Sequence, residues 1–258
     1  MSGVRFFPYP LMIASLLDAF RTFGLLDGSL FLFGRLCTKL TGGRCRVQKY
    51  VLVAQPVPAA RIAPAARPGA VEIRSISADE SRKLAWPRPD AVIERRYRDG
   101  AFCIGAFRNG QLIGFQWTVV GPYEEDDVRS RFVPVPAGRA AWDFDIWIAP
   151  EYRLGRTFLR LWDATNAMLH LRGVLWSMSR ISAFAPESIR SHGKLAARRV
   201  GSSLYFIAGP LQLTVVSGPP FFHVGLCPTA RPVIDVPAPD PTPAAAGVQP
   251  LSQTTPDR

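Results

Sequence analysis

The sequence predicts an α+β fold. Three observations carry this. A strand pattern at 143–148 runs into a short basic turn with a glycine and then a helix. An Asn-Gly hairpin precedes it. Further strand, helix and strand patterns follow it.

Taken in order, residues 1–48 read as a helical extension. Leu11 to Phe23 carries Ile13, Leu16, Leu17, Phe20 and Phe23 on one side and Ser15, Asp18, Arg21 and Thr22 on the other, and Gly24 and Asp27-Gly28 mark a break. A second helix is predicted over Ser29 to Leu40, with Leu30, Phe33, Leu36, Cys37 and Leu40 on one face; its end is basic through Arg35, Lys39, Arg44, Arg46 and Lys49. Amphipathic helices of this kind serve either as a hairpin docked on a domain or as a dimer contact. They also serve as an attachment of residues 11–49 to an anionic membrane surface. Residues 49–70 read as a strand over Tyr50 to Val57, stopped by proline, and a Pro-, Ala- and Arg-rich linker.

The next unit is predicted over 71–227. It opens on the alternating strand Val71 to Ile76. Residues 78–98 are helical in two pieces, separated by Pro87 and Pro89. The hairpin Phe102 to Val120 turns at Asn109-Gly110, the favoured pair for a tight primed turn. Residues 121–139 are predicted as a loop whose acid run, Glu124 to Asp127, is solvated or flanks a cationic ligand. Asp143 to Ile148 is a strand ended by Pro150. From Phe158 the apolar residues Phe158, Leu161, Trp162, Met168 and Leu169 have helical spacing. Strand, helix and strand follow over 174–184, 186–196 and 198–207, then short β elements at 211–216 and 221–226. Residues 228–258 hold eight of the 24 prolines and are predicted as a disordered tail.

The turn Arg153-Leu154-Gly155-Arg156-Thr157 is the first functional signal. A helix start presents unpaired N–H groups and partial positive charge, so it holds phosphate well, and two arginines add full charges. The run Ile148-Ala149-Pro150-Glu151-Tyr152-Arg153 and the turn after it resemble the CoA-binding core of the GNAT N-acetyltransferases. A second stretch, Ser182 to Gly201, is similar to the strand–helix–strand that packs on the CoA arm in that family, matching at Ser188, Lys194, Leu195 and Gly201. The chain departs from the family wording in having one glycine in a shortened turn, Ala185 where asparagine is usual, and His192 where tyrosine is usual.

The resemblance implies an α/β/α layout: a mixed, splayed central sheet with helices on both faces, here with the N-terminal extension. It implies acetyl-CoA as acyl donor and an amine acceptor, an amino sugar, a protein amine or a small metabolite. By the same resemblance the pantetheine arm docks on Ile146, Trp147 and Ile148. The phosphates dock on Arg153, Leu154, Gly155, Arg156 and Thr157, with Ser188 alongside. Asp145 stands where the family carries its base, and His192 takes the place of the acid. Asp143 and Asp145, two apart on a strand, are expected on one face, where mutual repulsion raises a pKa. The rival reading is a catalytically degraded module of the same fold that binds CoA, a partner or a membrane.

Composition sets outer bounds. Hydrophobic residues make up 48% of the 258 and the net charge is +11, which suits an anionic partner. No nucleic-acid-binding pattern is present, so nucleic acid is not expected. Cys37, Cys45, Cys103 and Cys227 are scattered with no metal spacing, so no metal is expected. No signal peptide or membrane-spanning run is read. The expected location is the cytoplasm, at the inner membrane if the helices attach there. A homodimer is compatible with the same helices.

Overall fold

Nine strands hydrogen-bond into one mixed sheet in the computed structural model, which describes residues 16–64, 71–153, 155–227 and 229–239. In chain order the elements are α1 (Leu16–Leu40), β1 (Cys45–Pro56), β2 (Glu72–Ile76), α2 (Ala78–Ser81), α3 (Asp90–Arg98), β3 (Phe102–Arg108), β4 (Gln111–Val119), β5 (Tyr123–Glu124), β6 (Arg131–Val135), β7 (Ala140–Ile148), a 3-10 turn at Pro150–Tyr152, α4 (Thr157–Leu171), β8 (Trp176–Ser182), α5 (Pro186–Gly193), β9 (Arg198–Ala208), β10 (Leu211–Val216), β11 (Phe222–Gly225) and β12 (Val233–Pro237). The large sheet runs β11-β10-β9-β1-β8-β7-β4-β3-β2, and β12-β6-β5 form a small second sheet.

β1 is the first departure from the sequence reading. It lies in the middle of the large sheet, antiparallel to β8 on one side and β9 on the other. A boundary at residue 71 therefore cuts through the sheet. The reason is visible in the strand: Tyr50, Leu52, Val53 and Ala54 are all buried. A continuous apolar run is what a central strand covered on both faces requires. The linker after it is pinned as well, since the Ile62 and Ala63 N–H groups donate to the Asp163 carboxylate of α4 at 2.6 and 2.9 Å.

Helices cover both faces. α4 packs with Val57, Ile104, Ile113, Ala141 and Ile148 through Leu161 and Leu169. The other face carries Leu52, Cys103, Phe115, Trp117, Trp142 and Met178. It is covered by α3 through Ile93 and by the small sheet, whose Phe132 stacks on Trp142 at 4.6 Å. The hairpin forms as predicted: Asn109 and Gly110 have φ of 52° and 77°, as a primed turn demands.

The predicted tail needs correction within its described part. Residues 233–237 pair as β12, parallel to β6, with Ile234 and Val236 buried. The alternation Ile234-Asp235-Val236 gives one apolar face, and that suffices for an edge strand despite the flanking prolines. β12 and β6 also lie in stretches read as loop and tail.

α1 is two helical pieces that meet at Gly24 (φ 76°, ψ 179°). Nine residues of straight helix span about 13 Å, yet a Cβ on Gly28 would come within 3.2 Å of the Ala19 carbonyl oxygen. The pieces therefore fold back on each other. The break falls at Gly24, while Asp27 and Gly28 are helical. The second piece docks on β1 where Gly34 meets Val47. Val47 and Val57 have the same parity along β1, so α1 lies on the α4 side of the sheet.

Candidate functional site

The site is built where β7 and β8 part. They pair in parallel only from Ala140–Trp176 to Asp143–Ser179. Beyond that rung β7 continues to Ile148 beside β4, and β8 continues to Ser182 beside β1. Among the described residues, 144–148 thus have no neighbouring strand on their outer edge. Ala149 N–H donates to the Ile113 carbonyl at 2.9 Å. Antiparallel alternation then turns the backbone groups of Ile146 and Ile148 into the gap. Gly114 keeps β4 close here, because a Cβ on it would stand 3.1 Å from the Trp147 carbonyl oxygen.

α4 starts at the wide end of this gap. Its first residue, Thr157, is buried, and Arg156 precedes it with no side-chain cap. Among the described residues, then, no N-cap side chain accepts from the first N–H groups of the helix, the arrangement an anion needs. Gly155 and Arg156 are exposed beside it. Arg153 is exposed too, but its Nε donates to the Ile148 carbonyl at 3.0 Å. One of the two expected phosphate arginines thus braces the end of β7. Leu154 lies outside the described residues.

β7 has a bulge at this point. Trp117 of β4 faces Asp145 and Thr118 faces Asp143, so Phe144 is the extra residue. Two strand residues that should share a face are thereby sent to opposite faces. This overturns the expectation of a paired carboxylate.

Asp143 points toward α4. It is buried on the last rung before the strands part, opposite Ser179. Gln116 Nε2 donates to it at 3.3 Å, and Thr165 of α4 donates to Gln116 Oε1 at 3.1 Å. Burial pushes the Asp143 carboxyl up to about 7, against smaller opposing pulls from Gln116 and Ser179. Around it, Gln55, Thr118, Asn166, Ser177 and Trp162 hold buried polar atoms with no partner among the described residues. Buried polar groups rarely go without hydrogen bonds. This layer beneath α4 is therefore a polar seam in an otherwise apolar interface.

Asp145 points the other way. Arg88 donates to both of its oxygens, Nε at 3.0 Å and Nη2 at 2.8 Å, and Arg96 Nη1 donates at 2.7 Å. With its lone pairs so engaged, Asp145 has little use as a proton acceptor. The acid run completes this face. Asp126 pairs with Arg95 and Arg96. Glu125, its side chain fully buried, and Asp127 both pair with Arg180 of β8. Arg180 also lies 4.6 Å over the Tyr50 ring. The run was expected to be solvated or to flank a cationic ligand; instead it ties β7, β8 and α3 together.

His192 of α5 is buried against the start of α4, edge-on to Phe158 and Trp162 at 6.0 and 5.9 Å. Its Nδ1 lies 2.9 Å from the Ser188 carbonyl. A carbonyl only accepts, so Nδ1 carries the proton. Burial lowers the pKa of the ring, which favours the neutral form. The expected imidazolium acid is therefore disfavoured, and Nε2 is left as an acceptor. The structure thus brings together the start of α4, the outer edge of β7 and His192, and it separates Asp145 from Asp143. The sequence reading missed Gln116, Arg88, Arg96 and Arg180. A glutamine inside the apolar run of β4 and the alternating serines of β8 were the signals for the seam.

No family profile matches the sequence, and neither does any curated protein. Solved structures similar to the chain include a Drosophila protein at 13% identity, covering 64% of this chain and 52% of that one, with a TM-score of 0.43. A second is a protein from Novosphingobium aromaticivorans assigned to the GNAT acetyltransferases, at 16% identity over 62% and 63%, with a TM-score of 0.40. A third is a tandem GNAT protein from the clavulanic acid biosynthesis pathway, at 15% identity over 67% and 55%, with a TM-score of 0.42. The chain spans less than two thirds of the length of each of these three. Among the described residues no cluster of metal-ligating side chains occurs, and no helix is long and apolar enough to cross a membrane.

Proposed function

We propose that the protein is an acyl-CoA-dependent acyltransferase that acetylates an amine. The observation that carries this is the parting of β7 from β8 after the Asp143–Ser179 rung, with an uncapped, basic helix start at its wide end. A cleft between parting strands, edged by main-chain dipoles and ending at an uncapped helix start, suits a long, narrow, phosphate-bearing thioester. The N–H groups at the start of α4 and Arg156 hold the phosphates. The backbone of Ile146 and Ile148 lines the arm and polarises the carbonyl. Ser188 flanks it from α5.

The amine nitrogen attacks the thioester carbon, the C–S bond breaks, and the amine proton must leave as the thiolate gains one. Asp143, and not Asp145, is the proton acceptor in this proposal. It sits at the narrow end of the gap, and a carboxyl titrating near 7 is matched to base catalysis at neutral pH. Gln116, itself held by Thr165, orients it. His192, neutral and protonated on Nδ1, lines the start of α4 from the α5 side.

Titration calorimetry with acetyl-CoA tests the first half. Heat from the parent and weaker binding by Arg156→Glu support the reading; no heat at millimolar acetyl-CoA sinks it. A screen of amine acceptors with the parent and Asp143→Asn tests the second half. One observation favours a second reading, a module that binds without turnover: Arg153 and Asp145 are both engaged inside the protein. Acetyl-CoA binding with no transfer to any amine would select it.

A further inference from the structure

α1 shows a second surface unrelated to the gap. Leu16, Leu17, Leu25, Leu26, Phe33, Leu36 and Leu40 are between 50% and 82% exposed, and of the apolar side chains in α1 only Ala19 is buried. The helix docks where Gly34 meets Val47 and through Phe23 and Phe31, whose rings pack against Phe184 at 5.7 and 5.4 Å, and it turns these leucines and Phe33 outward. At 3.6 residues per turn, Leu25, Leu26, Phe33, Leu36 and Leu40 fall within an arc of about 100°, opposite Gly34 and Asp27. Arg35 and Lys39 run along one flank of that arc. Arg21 and Arg44, exposed as well, stand near its two ends in sequence. The acids of α1, Asp18 and Asp27, are half-buried, and Asp27 pairs with Lys49.

We propose that this face of α1 is a docking surface for an anionic lipid bilayer, with the helix lying in the plane of the headgroups. Exposed leucines flanked by cations, with no exposed acid, are what such a surface requires. Charge also chooses between occupants. A second copy meeting this patch about a two-fold axis would set Arg21, Arg35, Lys39 and Arg44 against themselves, with no acid to answer them. Residues 1–15 contain Arg5 and no acid, so they complement the apolar stripe but not its charge. Acidic headgroups complement both. The long, kinked helix does not cross, so attachment is peripheral.

Co-sedimentation of the full chain with phosphatidylcholine vesicles, with and without phosphatidylglycerol, tests this. The protein pellets with the anionic vesicles, stays in solution with the neutral ones, and is released by high salt. Partition falls roughly tenfold or more in Arg35→Glu with Lys39→Glu, which reverses two charges at the surface. It falls similarly in the combined Leu25→Ser, Leu26→Ser, Leu36→Ser and Leu40→Ser. Both variants keep the parent's thermal unfolding midpoint, since all six side chains are exposed. Three results overturn the proposal: no pelleting of the parent with anionic vesicles, undiminished pelleting of the serine variant, or a dimer by sedimentation velocity that the serine variant abolishes. The last would assign the face to a second copy.

Discussion

On one face of β7, Asp143 sits alone, buried, with an amide and hydroxyls for neighbours. On the other, two residues on, Asp145 is clasped by Arg88 and Arg96. The residue type is the same and the distance along the chain is trivial. What differs is compensation. Around Asp145 the acids Glu125, Asp126 and Asp127 meet Arg95, Arg96 and Arg180 in pairs. Around Asp143 no cation is paired among the described residues, and burial outweighs the pulls of Gln116 and Ser179. A fold uses charge in two ways here: balanced, to hold elements together, and unbalanced, to set a proton affinity. The bulge at Phe144 creates the difference, because without it both carboxylates would share one environment.

The sharpest way to break this comparison is Asp143→Asn. Removing a general base costs about 10²- to 10⁴-fold in kcat, read in an acetyl-transfer assay. The same change should stabilise the fold at alkaline pH. The sign follows from the shift. The folded pKa, about 7, lies above the unfolded value near 3.8, so the contribution of Asp143 is fully present below pH 4 and is lost as pH rises through 7. At about 1.4 kcal/mol per pH unit, the loss is on the order of 4 kcal/mol. The asparagine variant should therefore unfold at a higher denaturant concentration than the parent at pH 8 and lose the parent's decline between about pH 4 and 7. Lower activity with higher stability is not what a merely structural residue gives.

Arg180→Met tests the balanced side. It leaves Glu125 buried without its partner, and breaking such a pair costs about 3–5 kcal/mol. Adding Glu125→Gln should return much of that, because the penalty belongs to the orphaned charge. If the single and double variants unfold at the same denaturant concentration, the clamp is not a coupled pair.

Much of the scaffold could be read from residues. The Asn109-Gly110 turn, the two-piece helix over 78–98 and the strand–turn–helix at 143–172 are local signals, and local physics decides them. β1 escaped because its place in the sheet depends on strands more than a hundred residues away. The bulge escaped for a related reason: alternation in Asp143-Phe144-Asp145 is perfect on paper, and only pairing with Trp117 and Thr118 breaks it. The acid run Glu124 to Asp127 looked solvated because its partners, Arg180 and Arg96, are remote in sequence. The helix start with Arg156 was legible because strand end, basic glycine turn and first helical turn lie close together in the sequence.

Asp145→Asn sharpens the contrast with Asp143. It removes the charge that Arg88 and Arg96 share, leaving Asp126 as the paired acid for the buried Arg96. Hydrogen bonds to charged groups contribute about 1.5–3 kcal/mol, so stability should fall by about 2 kcal/mol at neutral pH. The inflection near pH 7 expected in the acetyl-transfer rate should persist, since the proposal assigns it to Asp143. An inflection that vanishes in Asp145→Asn would return the base to Asp145.

The smallest effect is expected at Arg156. The side chain is exposed and makes no cap to α4, so Arg156→Glu should leave the unfolding midpoint within the scatter of surface substitutions, about 0.5 kcal/mol. Its cost falls on the ligand. In the proposed site a cation and a helix start act on the same phosphate, so reversing the cation should weaken acetyl-CoA about tenfold, on the order of 1.4 kcal/mol. Arg153→Ala makes the control. Its guanidinium braces the Ile148 carbonyl at the end of β7, so its loss should lower the unfolding midpoint as well as binding. If Arg153→Ala weakened acetyl-CoA and left stability untouched while Arg156→Glu did neither, the two arginines would have exchanged the roles their contacts assign them.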